Sequence, residues 1–308
     1  MRVYSSAPCR ISLFGGGTDV PPYSDKFGGV CISIAINIRQ EIILNEVDDW
    51  KLEPFDNPDF FHLLLDSLVL GNNYGIEHTF RGEIESGLGT SASLAVALVG
   101  AVNKLKDWKW SLSEIAEKAR ELEVDNIGLF TGRQDQYAAA YGGFNIMSFF
   151  KDIQVWGLRK ELLQPIEPYL MLFHNGVKRQ AANILDGYKF LDREKIEMFN
   201  QIKILAYQGI GLLSKKDVTY LARTLNDSWE IKKKSSVFIT NPKINMYYDF
   251  AIESGALAGK VCGAGGGGYM VFIVPPDIQE EFTKKVEKKG LRRIDFSPDW
   301  KGLECRFL

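Results

Sequence analysis

A chain of 308 residues, 45% apolar and 25% charged, has the length for one large domain or two ordinary ones and the composition of a globular protein. Its formal charge of −2 requires no strongly basic face and argues against nucleic acid as a partner. Four cysteines, Cys9, Cys31, Cys262 and Cys305, lie far apart without a CxxC pair, which excludes a zinc ribbon or a dense disulfide framework and fits a reducing cytoplasm.

In chain order, Pro8–Gly17 (PCRISLFGGG) reads as a short apolar strand ending on three glycines. Thr18 and Asp19 follow, and Pro21-Pro22 discourages a helix directly afterwards. Val30–Ile38, Glu41–Val47 and Ile76–Ile84 give further strand signals. The last of these runs into Gly87-Leu88-Gly89-Thr90-Ser91-Ala92, and from Leu94 an unbroken run of Ala, Leu and Val is compatible with helix. Gly87 and Gly89 permit backbone angles that other residues avoid. The helix start offers unpaired N–H groups and the positive end of a dipole, beside two hydroxyls. Such a terminus suits an anion, above all a polyphosphate, although a plain strand-to-helix turn uses the same residues. The string is no Walker loop, since GxxxxGK[ST] occurs nowhere. It matches the relaxed GxGxx[GA], but the acid wanted about 20 residues on falls at Asp107, in KLKDWKW, which does not read as a strand end.

Ser111–Glu123 (SLSEIAEKARELE) is the clearest helix, with a capping box at Ser111 and Glu114 and one apolar face of Leu112, Ile115, Ala116, Ala119 and Leu122. Glu123 projects near that buried stripe, where a carboxylate needs a partner unless the helix end frays into solvent. Gly132–Gly143 (GRQDQYAAAYGG) carries a single acid, Asp135, then small residues, and a double glycine ends the element. Phe144–Phe150 and Ile153–Leu158 read as a pair of strands. Pro165 and Pro168 mark a boundary, and Tyr169–Phe173 opens the second half with a buried strand. Residues 190–233 and 244–258 are helical in pattern. A second glycine cluster, Val261–Gly268 (VCGAGGGG), feeds a strand at Tyr269–Val274, and a helix near 277–289 and strands near 291–296 and 303–308 close the chain. His62, His78 and His174 stand apart from any acid or cysteine and read as structural or surface residues. No apolar leader precedes the first strand, and the longest apolar run, Leu94–Val102, is too short for a bilayer, so a soluble cytoplasmic protein with no membrane partner is expected.

Three of these stretches, Pro8–Asp19, Glu85–Ser93 and Gly263–Gly268, stand in the order of the three motifs of the GHMP kinases, the superfamily of galactokinase, homoserine kinase and mevalonate kinase. The chain resembles that superfamily over most of its length. The resemblance implies an α+β fold, with an N-terminal domain of the ribosomal-S5 type (residues 1–165) that binds nucleotide and metal, followed by a ferredoxin-like C-terminal domain (166–308). Composition and periodicity alone give only mixed helix and strand. RISLFGGGTDVPPY and GRQDQYAAAYGG are most similar to the D-glycero-D-manno-heptose 7-phosphate kinases, which phosphorylate the anomeric hydroxyl of a heptose phosphate. Cys9, where Leu or Gly is common, and Arg133, where Lys is frequent, depart from that pattern.

The resemblance implies ATP as donor, Mg2+ as cofactor and a sugar phosphate as acceptor. Gly87, Leu88, Gly89, Thr90, Ser91 and Ala92 would hold the nucleotide's phosphates, and Ser91 and Glu123 the magnesium. Asp135 would accept the acceptor's proton, and Arg10 would stabilise Asp135 and the transferring group. Thr18 and Asp19 match sugar-binding positions, while Gly16 and Gly17, where galactokinases carry Glu-His, open room for a longer sugar. Lys178 and Arg179 are candidates for its distal phosphate. Each has an ordinary reading: Arg10 as a strand-end ion pair, Asp135 as a helix cap, the third motif as a tight turn, Lys178 and Arg179 as solvated charge. A kinase for another sugar such as fucose, or a silent sugar and nucleotide sensor, would compete as functions. The set of Ser91, Glu123, Asp135 and Arg10 argues against the sensor. The oligomeric state stays open, a homodimer among the options.

Overall fold

The computed structural model describes residues 1–46, 74–80, 82, 87–177 and 181–308. Two long strands, β1 (Arg2–Phe14) and β2 (Gly29–Glu46), pair antiparallel and organise the molecule. The strand signals at 30–38 and 41–46 thus belong to one continuous strand, and Val47 lies outside the described residues. The register of the pair slips between Pro8 and Cys9, where proline has no N–H for the ladder. Just past the slip, the Arg10 N–H donates instead to the Leu88 carbonyl at 2.9 Å, which ties the glycine turn to β1.

After β1 come α1 (Tyr23–Phe27) and β2; then β3 (Tyr74–Phe80), α2 (Thr90–Lys106) and α3 (Leu112–Glu121). A single π turn, Leu122–Asn126, extends α3, and α4 (Gln134–Tyr141), β4 (Phe144–Phe150) and β5 (Asp152–Leu158) follow. The remainder is α5 (Lys160–Leu163), β6 (Leu170–His174), α6 (Ala181–Asp186), α7 (Arg193–Lys215), α8 (Val218–Lys234), α9 (Pro242–Glu253), β7 (Ala258–Val261), β8 (Tyr269–Ile273), α10 (Gln279–Lys288), β9 (Arg292–Ile294) and β10 (Glu304–Phe307).

Among the described residues the strands form two antiparallel sheets, β10-β1-β2-β4-β5 with β3 also on β2, and β7-β8-β6-β9. The last strand therefore returns to the first sheet. One face of β1 and β2 packs Val3, Ala7, Cys31 and Ile42 against the Ala- and Val-rich body of α2 and the apolar face of α3. Their other face packs Ile11, Leu13, Ile32 and Ile34 against α7, α8 and strands of the second sheet, including Leu213, Leu225, Leu172 and Val271. Burial on both faces explains why VCISIAINI is nearly continuous in apolar residues instead of alternating. The strand ends between these layers carry the site.

Helix ends follow the local chemistry. Ser111 and Glu114 form the capping box at the start of α3. The helical pattern over 190–233 breaks in two at Lys216, left-handed with φ 59°, and resumes behind Asp217, whose side chain accepts from the Tyr220 N–H. His78 contacts Gln40 Oε1 at 2.6 Å, and the His174 ring meets the Tyr269 ring edge-on, so both are structural; His62 lies outside the described residues. No helix among the described residues is long and apolar enough to cross a membrane.

Candidate active site

The first turn of α2 opens at Gly89, whose φ of 72° and ψ of 32° lie in the left-handed region. Gly89 brings no side chain of its own to cap that turn, and the N–H groups of the first turn lie at the positive end of a 17-residue helix, which favours an anion. Asp135, in the first turn of α4, stands directly against this start. A Cβ placed on Gly89 would lie 3.2 Å from Asp135 Oδ2 and 3.3 Å from its Cγ. A carboxylate and an anion-binding terminus thus share one spot, a use of glycine that a bare strand-to-helix turn does not need.

Arg10 fixes that carboxylate. Its Nε donates to Asp135 Oδ1 at 2.8 Å and its NH2 to Oδ2 at 2.6 Å, while NH1 donates to the Gly87 carbonyl at 2.6 Å. The guanidinium is 4% exposed, whereas a quarter of the Asp135 side chain remains open. A buried fork that holds an accessible carboxylate orients it for an incoming group, which a surface ion pair would not do.

Glu123 sits in the π turn that extends α3, a register change of the kind that re-aims a side chain at a functional site. It is 3% exposed. Ser91 Oγ donates to its Oε1, and Gln136 Nε2 donates to its Oε2 at 2.5 Å. Burial pushes the Glu123 carboxyl up to about 7, the charge of Asp135 adds to the rise, and the bonds from Ser91 and Gln136 pull against it. The partner that the sequence demands for Glu123 is therefore a pair of neutral donors, and among the described residues no cation bonds to it directly. Ser91 and Glu123, one hydroxyl and one carboxylate, fit a hard divalent ion that takes its remaining oxygens from phosphates and water. Among the described residues no group of three or more His, Cys, Asp or Glu side chains is placed to hold a metal ion.

Beside Asp135 lies a cleft open to solvent, whose walls include Arg10, Gly17, Asp19, Asp135, Tyr188 and Gly263. Asp19 lines it, but both carboxylate oxygens are engaged: Oδ1 accepts from the Gly17 N–H at 3.0 Å and Oδ2 from the Gln134 N–H at 3.2 Å. It caps α4 from outside the helix. Gly132 is what admits it, since a Cβ there would fall 1.9 Å from Oδ2. Thr18, expected at the sugar, is held by the backbone around it. It is fully buried; its hydroxyl is shared between the Gly15 and Val30 carbonyls at 2.8 and 3.1 Å and accepts from the Val30 N–H at 3.1 Å. The proton of that hydroxyl goes to backbone carbonyls of the glycine loop and of β2, so Thr18 ties the loop to the strand. Gly16 and Gly17 border the open space. Lys178 and Arg179 lie outside the described residues.

Of the third glycine motif, Gly263 reaches the cleft, and its carbonyl accepts from Lys232 Nζ at 2.7 Å. The remaining glycines turn against their own surroundings, as in Gly266 N–H to the Ile239 carbonyl at 2.7 Å and Gly268 N–H to Asn175 Oδ1 at 3.1 Å. Four residues with a place in the site were missed by the sequence reading: Ser12, Gln134, Gln136 and Lys232. Two glutamines flanking an acid, in a helix otherwise made of Ala and Tyr, were the available signal for the middle pair. Lys232 opens a run of three lysines and reads as solvated charge, yet it is 5% exposed.

Two family models match the chain, the N-terminal domain of the GHMP kinases over residues 61–143 and their C-terminal domain over 210–291, together just over half of it. The chain is 29% identical to the D-glycero-alpha-D-manno-heptose 7-phosphate kinase of Campylobacter jejuni across 98% of both proteins. It is 25% identical to the L-fucokinase/L-fucose-1-P guanylyltransferase of Bacteroides fragilis, across 98% of this chain and 38% of that one. The crystal structure of a D-glycero-D-manno-heptose 1-phosphate kinase from Bacteroides thetaiotaomicron superposes with a TM-score of 0.81 at 27% identity, over 99% of both chains. With both characteristic domains matched and the architecture shared from end to end, the chain belongs to the GHMP kinases and has their mixed helix-and-sheet fold.

Proposed function

We propose that the protein is an ATP-dependent sugar kinase that phosphorylates the anomeric hydroxyl of D-glycero-D-manno-heptose 7-phosphate, giving the 1,7-bisphosphate. The observation that carries this reading is the nearness of the Asp135 carboxyl group to Gly89 at the start of α2, where an added Cβ would lie 3.2 Å from Oδ2. An acceptor hydroxyl bound to Asp135 there faces phosphates bound at the helix start, in line for transfer.

Asp135 takes the proton as the acceptor oxygen bonds to the γ-phosphorus and the bond from that phosphorus to the bridging oxygen of ADP breaks. Arg10 keeps the carboxylate in one rotamer and places a fixed positive charge beside the forming bond. The N–H groups of Thr90, Ser91 and Ala92 hold phosphate oxygens. Ser91 and Glu123 are the residues that would hold magnesium, which when bound neutralises phosphate charge. Gly16 and Gly17 leave space for the sugar, Asp19 holds the wall in place, and Lys178 and Arg179 are taken to meet the distal phosphate. Domains divided near Pro165, 1–165 and 166–308, belong to the same proposal.

The names of the two heptose relatives differ in which position already carries phosphate, so the acceptor is the part to test. An ADP-release screen over free and phosphorylated hexoses and heptoses is expected to give its highest kcat/KM with the heptose 7-phosphate. Equal or greater activity on a free sugar such as fucose would replace this acceptor with an unphosphorylated one.

A further inference from the structure

Beside Asp135, the cleft wall holds side chains for which phosphoryl transfer itself gives no use: Ser12 on β1, Gln134 at the start of α4 and Lys232 at the end of α8. Gln134 is 2% exposed. Ser12 Oγ donates to its Oε1 at 3.1 Å, and its Nε2 has no partner among the described residues. Turning the amide over does not cure this, because Oε1 then occupies the orphaned place. Either way one atom of a buried amide in the cleft wall is left without a partner, so that a ligand reaching it would have to press into that wall. Lys232 Nζ, anchored on the Gly263 carbonyl, stands on the facing wall: a Cβ on Gly16 would lie 3.6 Å from it, 3.0 Å from Ser12 Oγ and 3.8 Å from Gln134 Oε1. The missing side chain of Gly16 keeps the space among these polar groups open.

A hydroxyl fits the orphaned atom in both amide orientations, since it donates and accepts. A phosphate oxygen fits only one orientation, and a methylene fits neither. Gln134 also precedes Asp135 in the chain, so its amide and the carboxylate that faces the reacting hydroxyl rise from adjacent residues of one helical turn. We infer that Gln134 reads the hydroxyl next to the reacting one, the acceptor's 2-hydroxyl, with Ser12 fixing the amide and Lys232 bounding the subsite opposite. The inference rests on the proposed function in one respect: position 2 is the neighbour only if transfer goes to the anomeric oxygen.

The test compares steady-state kinetics on the sugar that the screen identifies and on its 2-deoxy form, for the wild type, Gln134→Leu and Gln134→Glu. The wild type is expected to prefer the 2-hydroxy sugar by roughly 10- to 100-fold in kcat/KM, the factor set by leaving one buried polar group unpaired. Gln134→Leu should turn over the parent sugar poorly and lose the preference. Gln134→Glu, which keeps the shape and can still accept from a hydroxyl, should retain part of it. A wild type indifferent to the 2-hydroxyl overturns the inference without any variant, as does a Gln134→Leu enzyme that slows both sugars equally. Activity on no sugar in the screen overturns the proposed function, whereas a sugar substrate without discrimination at position 2 overturns this inference alone.

Discussion

Gly89→Ala separates backbone strain from site geometry. Its φ of 72° is a left-handed conformation that costs an alanine about 1–2 kcal/mol. The new methyl would also stand 3.2 Å from Asp135 Oδ2 and 3.3 Å from Cγ, closer than carbon and carboxylate settle, so the carboxyl group must yield by a few tenths of an ångström. It cannot do so freely, since two Arg10 bonds of 2.8 and 2.6 Å hold it. A misplaced reacting group is costly, about 10²-fold for 1 Å, and a shift of this size is expected to lower kcat about tenfold. Gly128→Ala is the control: its φ of 74° imposes the same strain, but no atom of the described residues lies within 4 Å of the added methyl. Thermal melting of both variants should fall by similar amounts. ADP-release assays should show the loss of kcat in Gly89→Ala alone, with a small change in ATP affinity because the methyl points at Asp135. Equal kcat in the two variants, at equal melting loss, would refute the claim that Gly89 sets the position of Asp135.

Glu123→Gln should raise the magnesium concentration needed for half-maximal activity, and added magnesium should partly restore turnover; lost stability with unchanged magnesium dependence would make Glu123 a structural carboxyl. Thr18→Val keeps the side chain's shape but strips the loop of its hydroxyl, and should cost about 1–3 kcal/mol in urea unfolding; full stability with a raised sugar KM would return Thr18 to the substrate contacts. Lys260, 4% exposed, donates to the Leu13 carbonyl at 3.1 Å, and Lys232, Arg10, Cys31 and Cys262 face it. Burial first, and the Lys232 charge second, push its ammonium down to about 7. Between about 7 and its ordinary value the unfolded chain holds a proton there that the folded chain lacks, so this group makes stability rise with pH across that window. Lys260→Met should flatten the rise measured by unfolding at pH 7 and pH 9, and an unchanged slope would place the ammonium in contact with water.

Local signals carried the elements that depend on local chemistry. The capping box at Ser111 and Glu114, the paired strands after Gly143 and the helix behind Gly89 all rest on interactions within a few residues, and the structure has them where those residues are. What depends on distant partners was less legible. β2 is one strand because β1 pairs along nearly all of it, while β4 and β3 pair its two ends on the other side, which Arg39-Gln40 in the middle of the sequence conceals. β7 (Ala258–Val261), read as the end of a helix and the start of a glycine cluster, is strand because β8 pairs with it. The π turn at Leu122–Asn126 leaves no mark in a helical pattern. For the site, Arg10, Asp135, Ser91 and Glu123 were accessible through motif order, and the structure brings Arg10 onto Asp135 and Ser91 onto Glu123. The Thr18 hydroxyl bonds to Val30, twelve residues away, which no motif shows. Gln134, Gln136 and Lys232 owe their burial to segments far from them in the chain.

The central claim is that Asp135 receives the proton of a sugar's anomeric hydroxyl as phosphate is transferred to it. Phosphorus NMR of reactions containing ATP, magnesium and D-glycero-D-manno-heptose 7-phosphate, run with the wild type and with Asp135→Asn, tests it directly. The wild type is expected to produce a second sugar phosphate resonance, split by the anomeric proton, as ADP accumulates. Asp135→Asn should form the same product about 10²–10⁴ times more slowly, the span associated with a positioned general base, while binding ATP as before. A phosphate on another carbon, or an Asp135→Asn enzyme of near wild-type turnover, would contradict the account.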